Sequence, residues 1–404
     1  MSWTDTITIY CCGTCFHEGK LDETVAYTYS KTEGKKWINQ GPGHESTKKE
    51  HRIPKTEELL EKIETQSWVK KMKKMKITGK DPGKNMIPDF DDPTQTPKAF
   101  RHPEARGNKD AQKGYGTQDN IVTTLQWLWY TYYETQPVKS GRAPQPKFDR
   151  INLVGWSRGA VTCIMLAHAI KAAGFTKVIP TLKINIFTFD PVPGAQNDFG
   201  TNTDLDKFDK TGRFGSKVDL SSIVNQYSSI LMEHITGKLK GIISKDWAFK
   251  CISPRFKPEE GSGGNATFYP LPGEHADCVM YKTNPAGKIG LHLCHQFLKD
   301  NGTDLKTYEM MSNTQLLENY SELRMKYATG AQHAKTEPTK HRKKLVVNTK
   351  RSDSYFVNLH HYETFRKTLP MVLDDIESGK KFGANLLKVI YPKTMGALNQ
   401  LGYI

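Results

Sequence analysis

Apolar residues gather in short runs that turn residues interrupt, and the period of each run predicts its conformation. Residues 7–12 (Ile-Thr-Ile-Tyr-Cys-Cys) and 151–154 (Ile-Asn-Leu-Val) read as buried strands. So do 182–189, where apolar and polar positions alternate, and 266–271 (Ala-Thr-Phe-Tyr-Pro-Leu). Helical spacing recurs elsewhere. Over 119–134, Ile121, Leu125, Leu128 and Tyr132 fall on one side, with Val122, Trp129 and Tyr133 beside them. Residues from about 160 to 170 are apolar at helical spacing, and 56–76 carries Leu60, Ile63, Trp68, Met72 and Met75 near one stripe, acidic early and lysine-rich late. A further helix is expected over 221–243, and the chain from about 285 onward reads as mainly helical and basic. Residues 16–55 read as irregular and 82–116, rich in Pro, Gly and charge, as a long surface loop.

Strands alternating with helices predict an α/β fold with a mostly parallel central sheet flanked by helices. The domain expectation is one catalytic domain over 1–290 with insertions at about 16–118 and 198–250. A mainly helical extension, 291–404, then packs on the same domain. Neither an internal repeat nor a clear linker divides the 404 residues.

Chemistry concentrates where the second strand meets its helix, at Gly155-Trp156-Ser157-Arg158-Gly159. Strand, Gly-x-Ser-x-Gly and helix in that order form a nucleophile elbow: the serine sits on a sharp turn, and the glycines remove side chains that would collide. The turn also aims the backbone N–H of Arg158 at the place where a tetrahedral oxyanion forms. A loop after the first strand, at Gly13-Thr14, is positioned to give a second donor. Asp190 directly follows the strand ending at 189. His275 follows the strand ending at 271 through Pro272-Gly273. Ser157, Asp190 and His275 therefore each follow a strand, in the chain order of an alpha/beta-hydrolase triad. His275 is the candidate base and Asp190 the candidate acid, with His292, His295, His360 and His361 as alternative bases. Asp277 is a candidate supporting partner or alternative acid.

The blocks GYGTQDNIVTTLQWLWYTYY, RINLVGWSRGAVTCIMLAHAI, FTFDPVPG and FYPLPGEHADC, in this order and spacing, resemble a bacterial and fungal alpha/beta-hydrolase family. That family includes type VI secretion lipase effectors of the first Tle class. Its Gly-Phe-Ser-Arg-Gly-Ala, Asp-Thr-Val and Gly-x-His-x-Asp motifs correspond here to the segments around Ser157, Asp190 and His275-Ala276-Asp277. The likeness covers residues 7 to about 280. The chain departs from it at Cys12-Gly13-Thr14, where the family has Asp-Gly-Thr, and at Cys278, Val279 and Met280, where it has glycines. The resemblance implies an alpha/beta-hydrolase fold and an esterase or phospholipase, an antibacterial or anti-host toxin cleaving membrane glycerophospholipids. It also implies an immunity protein or a secretion-machine component as partner.

Composition narrows the partners. With 58 Lys and Arg against 43 Asp and Glu, the formal net charge is +15, which favours an anionic surface. The basic end of 56–76, Lys70 to Lys76, suits anionic headgroups. Two alternatives to a phospholipase stay open: an esterase or thioesterase on soluble or protein-linked acyl groups, and a catalytically inactive basic binding module on the hydrolase scaffold. Nucleic acid is disfavoured as the partner of such a module, because no nucleic-acid motif accompanies the basic runs and the aromatics lie on apolar helix faces. No stretch is long and apolar enough for a membrane-spanning helix. The N-terminal residues lack a signal peptide's charged and apolar regions, so synthesis in the cytoplasm is expected, with any export into a target cell through a dedicated secretion system. Seven cysteines, an odd number, do not suggest a disulfide framework. The lone Cys12-x-x-Cys15 reads as small apolar residues at a strand end. No cofactor is expected: Asp204, Asp206 and Asp209 resemble a calcium loop only superficially, lacking its spacing and closing Glu.

Overall fold

The computed structural model describes residues 6–42, 117–134, 148–192, 223–232, 265–271 and 273–326, with isolated positions between 61 and 70, residue 220, and the pairs 252–253 and 345–346. Its main sheet has six strands, all parallel. They are β1 (Thr6–Cys11), β2 (Lys35–Asn39), β3 (Arg150–Trp156), β4 (Lys183–Phe189), β5 (Gln226–Met232) and β7 (Asn265–Leu271), and their order across the sheet is β2-β1-β3-β4-β5-β7. A separate parallel pair joins β6 (Ile252–Ser253) to β8 (Leu345–Val346).

Strand alternation divides the core into two layers. Ile7, Ile9, Ile151, Leu153, Ile184 and Ile186 face one side and pack with α2 (Thr117–Glu134) and α3 (Arg158–Ala172). Tyr10, Val154, Trp156, Phe187 and Phe189 face the other, toward α1 (Thr24–Lys31), α5 (Pro285–Asp300) and α6 (Asn313–Lys326). The short α4 (Phe175–Val178) turns the chain toward β4. Both faces are covered, as parallel sheets require.

Covering both faces buries polar residues too, and these must find partners. At the amino end of the sheet Asn225 donates to Asn185 (3.1 Å), Asn185 to Asn152 (2.9 Å), and Asn152 to Thr303 Oγ1 (2.8 Å) and the Asn301 carbonyl (2.9 Å). The hydroxyls of Thr303 and Thr8 complete the row at 2.8 Å. This ladder crosses three adjacent strands and ties them to the turn after α5.

Several expectations are corrected. Residues 16–55 are not irregular throughout, because α1 and β2 lie there, and β2 is an edge strand of the main sheet. The helix expected over 221–243 is instead β5 in its described part, a strand between β4 and β7. Both supposed insertions thus contribute strands to the sheet. The boundary at 290 falls inside α5, which packs on the sheet as part of the core. In 56–76 the described positions include buried Ile63 and Val69. Residues 82–116, the acidic stretch 198–209 and the basic run 340–344 lie outside the described residues.

One buried carboxyl group matters for stability. Glu23 is 0% exposed and caps α1, accepting from the N–H groups of Val25 (2.8 Å) and Ala26 (3.1 Å). Burial pushes its carboxyl up from 4.5 to about 7; the two cap bonds oppose this and Asp22 adds to it. The folded state then holds a proton that the unfolded chain releases. Stability from this site is full below pH 4.5 and falls as pH rises toward about 7. Glu23→Gln is expected to flatten that decline, measured as urea midpoints from pH 4.5 to 8. Asn152→Ala, which leaves the Asn185 donor without its acceptor, is expected to cost about 1–3 kcal/mol in the same titration at any pH.

Candidate active site

The sheet order places the site. The chain runs from β1 outward to β2, then returns to the opposite side of β1 with β3. Loops leaving the carboxyl ends of β1 and β3 therefore diverge, and such a switch point is where open α/β sheets form a crevice. Gly13-Thr14 leaves β1 there, and Ser157 leaves β3.

Ser157 stands between β3 and α3 with φ 56° and ψ −121°, a left-handed conformation costly for a residue with a side chain. Backbone bonds hold it: its N–H donates to the Phe189 carbonyl (3.0 Å), and its carbonyl accepts from Val161 (3.3 Å) and Val192 (3.2 Å). The flanking glycines are required by contact. A Cβ on Gly155 would lie 2.6 Å from the Gly159 carbonyl oxygen, and one on Gly159 would lie 2.1 Å from that of Cys11.

Asp190 extends β4 by one residue into a turn with φ 44°. Its backbone N–H donates to the Ile230 carbonyl (2.8 Å), and its Oδ1 accepts from the Met232 N–H (3.1 Å). Oδ2 is left directed at His275, whose Nδ1 lies 2.6 Å away. The other ring nitrogen, Nε2, lies 2.8 Å from Ser157 Oγ. The side chains form one chain of hydrogen bonds from serine to imidazole to a carboxylate that is 0% exposed. With Nδ1 donating to Asp190, Nε2 is the acceptor for the serine hydroxyl.

The loop bearing His275 is braced from within. Gly273 has φ 134°, and Asp277 Oδ2 accepts from the Glu274 N–H at 2.8 Å. Asp277 thus shapes the turn beside the histidine, whereas the carboxylate on the ring is that of Asp190. Cys278 donates its thiol to the His275 carbonyl (3.3 Å). The loop is also held from α1, where the Thr24 hydroxyl donates to the Val279 carbonyl (2.9 Å), and from the turn before α1, where Tyr281 donates to the Leu21 carbonyl (2.9 Å).

The alternative bases among the described residues serve otherwise. His295 accepts from the Glu309 N–H at Nδ1 and uses Nε2 toward Thr28 Oγ1 (3.2 Å). Burial, with a smaller contribution from His292, pushes it down to about 4. His292 accepts from the Met311 N–H, and burial lowers it as well. His360 and His361 lie outside the described residues.

Arg158 is the first residue of α3, so its backbone N–H lies at the positive end of the helix dipole. Its guanidinium is buried, and desolvation pushes it down to about 10, with Cys15 acting in the opposite sense. Thr14 is half-exposed in the turn after β1, which the Phe16 N–H closes onto the Gly13 carbonyl (2.9 Å). The same turn is fastened to the end of β2 by Cys15 N–H to the Pro42 carbonyl (3.3 Å) and Gly41 N–H to the Phe16 carbonyl (2.8 Å). Cys12 is buried and Cys15 half-exposed; both are free.

Sequence reasoning passed over Trp156. Its ring lies against His275 and Phe16, with centroids at 5.5 and 4.7 Å. The available signal was an aromatic residue immediately before the elbow serine. Among the described residues no group of His, Cys, Asp and Glu could hold a metal ion, and no helix is long and apolar enough to cross a membrane.

No family model matches the chain, and no curated protein matches it. Among solved structures it is similar to one described as an uncharacterized protein from Pseudomonas aeruginosa, at 13% identity and a TM-score of 0.39, over 98% of this chain and 57% of that one. The chain thus spans 57% of the length of the solved structure it resembles.

Proposed function

We propose that the protein is a serine hydrolase of the alpha/beta-hydrolase type that cleaves carboxylic esters of membrane phospholipids. The observation that carries the reading is the line from Ser157 Oγ through His275 to Asp190, with contacts of 2.8 and 2.6 Å, at the carboxyl edge of a parallel sheet.

As Ser157 Oγ attacks the ester carbonyl carbon, its proton passes to His275 Nε2. Asp190 remains a carboxylate, accepting from Nδ1 and stabilising the imidazolium. The negative charge that forms on the carbonyl oxygen is met by the backbone N–H of Arg158 and that of Thr14. Collapse of the intermediate breaks the bond to the alcohol, which leaves with the proton from Nε2, and the acyl group stays on Ser157. Water then gives a proton to Nε2 as its oxygen attacks the acyl carbon. The second collapse releases the acid and returns the proton to Ser157.

Phospholipid is favoured over a soluble ester by the resemblance of the Ser157, Asp190 and His275 segments to the lipase-effector family, and by the net charge of +15, which draws the protein to anionic surfaces. The same resemblance supports delivery by a secretion machine and an immunity protein as partner.

A fluorophosphonate probe is expected to label wild-type protein and not Ser157→Ala. Vesicles of mixed anionic phospholipids are expected to release fatty acid with wild type alone, read by mass spectrometry. Labelling without release from vesicles, together with turnover of short soluble esters, would reassign the substrate. A wild type that is not labelled would overturn the hydrolase reading. Asp190→Asn, which removes the partner that fixes the imidazole tautomer, is expected to lower turnover by roughly 10⁴-fold while leaving the fold intact by circular dichroism.

A further inference from the structure

Trp156 occupies a place that the triad does not explain. It is the last residue of β3, and the indole is 5% exposed. The indole N–H is buried and has no hydrogen-bond partner among the described residues, an arrangement that costs stability. What the side chain contributes is therefore its shape and its aromatic surface.

Two parts of the site rest on that surface. The imidazole of His275 lies at 5.5 Å between centroids and 31° between planes, within the range of aromatic packing. Gly13 lies over the benzo ring of the indole: a Cβ there would come 2.2 Å from Cε3 and 2.7 Å from Cζ3. Phe16, three residues further along the same turn, meets the indole edge to face at 4.7 Å and 84°. Gly13 is confined from its other neighbour as well, since a Cβ on Gly41 would lie 1.6 Å from the Gly13 carbonyl oxygen. The turn that carries Thr14 is thus held between the Trp156 ring and the end of β2.

We propose that Trp156 is a positioning residue, a wedge that sets the Gly13–Phe16 turn and the His275 ring relative to Ser157 at the same time. The inference rests on the serine-hydrolase reading and goes beyond it. The distance from the oxyanion donor to the nucleophile and the distance from base to nucleophile share one spacer, the side chain adjacent to the nucleophile itself. A ring of different outline displaces both. An added methyl group at Gly13 displaces the turn, unless the ring gives way.

The reciprocal fit supplies the test, read as the rate of fluorophosphonate labelling of Ser157 resolved into a maximal rate and a half-saturation concentration. Trp156→Leu is expected to lower the maximal rate by about tenfold or more with little change in half-saturation, because misplacement by less than an ångström acts on the reacting geometry. Trp156→Phe, which keeps an aromatic face and removes the unpartnered N–H, is expected to recover most of that loss and to unfold at no lower a temperature. Gly13→Ala is expected to label about 100-fold more slowly, and Gly13→Ala combined with Trp156→Phe at least about tenfold faster than Gly13→Ala alone, since phenylalanine lacks Cε3 and Cζ3, the two atoms the new methyl would strike hardest, and keeps only a carbon equivalent to Cδ2 at 2.8 Å.

A double variant no faster than Gly13→Ala overturns the wedge, as does Trp156→Leu labelling at the wild-type rate. If Trp156→Leu does not fold, the comparison of the double variant with Gly13→Ala decides alone. A wild type that is never labelled overturns the hydrolase reading and this inference together, whereas a labelled wild type with additive variants overturns the inference only.

Discussion

A tight backbone approach is made at Gly159, where the first turn of α3 lies against the carbonyls of Cys11 and Cys12; a Cβ there would stand 2.1 and 2.4 Å from their oxygens. Everything at the carboxyl edge depends on that contact. Because the helix meets β1 so tightly, the chain leaving β3 must reverse within one residue, and Ser157 takes up the strained φ of 56°. Strain of this kind persists only when the surroundings over-determine it. Here the backbone bonds to Phe189, Val161 and Val192 do so. The serine is held at the sheet edge by these bonds and by the contact of the helix with β1.

The opposite edge of the sheet is organised by polar rather than steric constraint. Asn152, Asn185 and Thr8 sit in a fully covered sheet, where an unpaired amide would cost about 1–3 kcal/mol. Each finds a partner in the next strand or in the turn after α5. Directional bonds between side chains fix the register of adjacent strands more strictly than aliphatic packing does. Register matters at the far end of the same strands. A slip of β4 against β3 would move Asp190 relative to Ser157 by a residue spacing, and a slip of β5 would remove the Met232 N–H from Asp190 Oδ1.

The parts of this arrangement that were legible in the sequence share one property: each follows a short apolar run closed by a turn. Ser157, Asp190 and His275 could be placed at strand ends without knowing the strand order. The strands that were misread lacked that contrast. β5 reads Gln-Tyr-Ser-Ser-Ile-Leu-Met, and its two serines are buried in mid-strand, where Ser229 accepts from the Thr188 hydroxyl at 2.8 Å. Its apolar residues supply no period of two, and a helix was expected. β2 is an edge strand with two lysines and a tryptophan among five residues, too polar to announce itself. Histidine choice was also open in the sequence. It is the position of each ring, and whether its nitrogens are already engaged, that separates His275 from His292 and His295.

Trp156 was illegible for a different reason. A sequence motif records which residues must be small and which must react, and the residue between Gly155 and Ser157 satisfies neither test. Its constraint is mutual. Gly13 lacks a side chain because the indole is there, and the indole fits because Gly13 lacks one. Neither residue alone carries the signal, and they are separated by 142 positions of chain that only the pairing of β1 with β3 brings together. The same pairing sets Tyr10 beside Val154 and Cys11 beside Gly155, so the turn after β1 begins level with the end of β3. A tryptophan at that end has nowhere to place its ring except under the turn and against the histidine. The His275 ring and the Thr14 turn are then both tied to strand register through contact with one side chain.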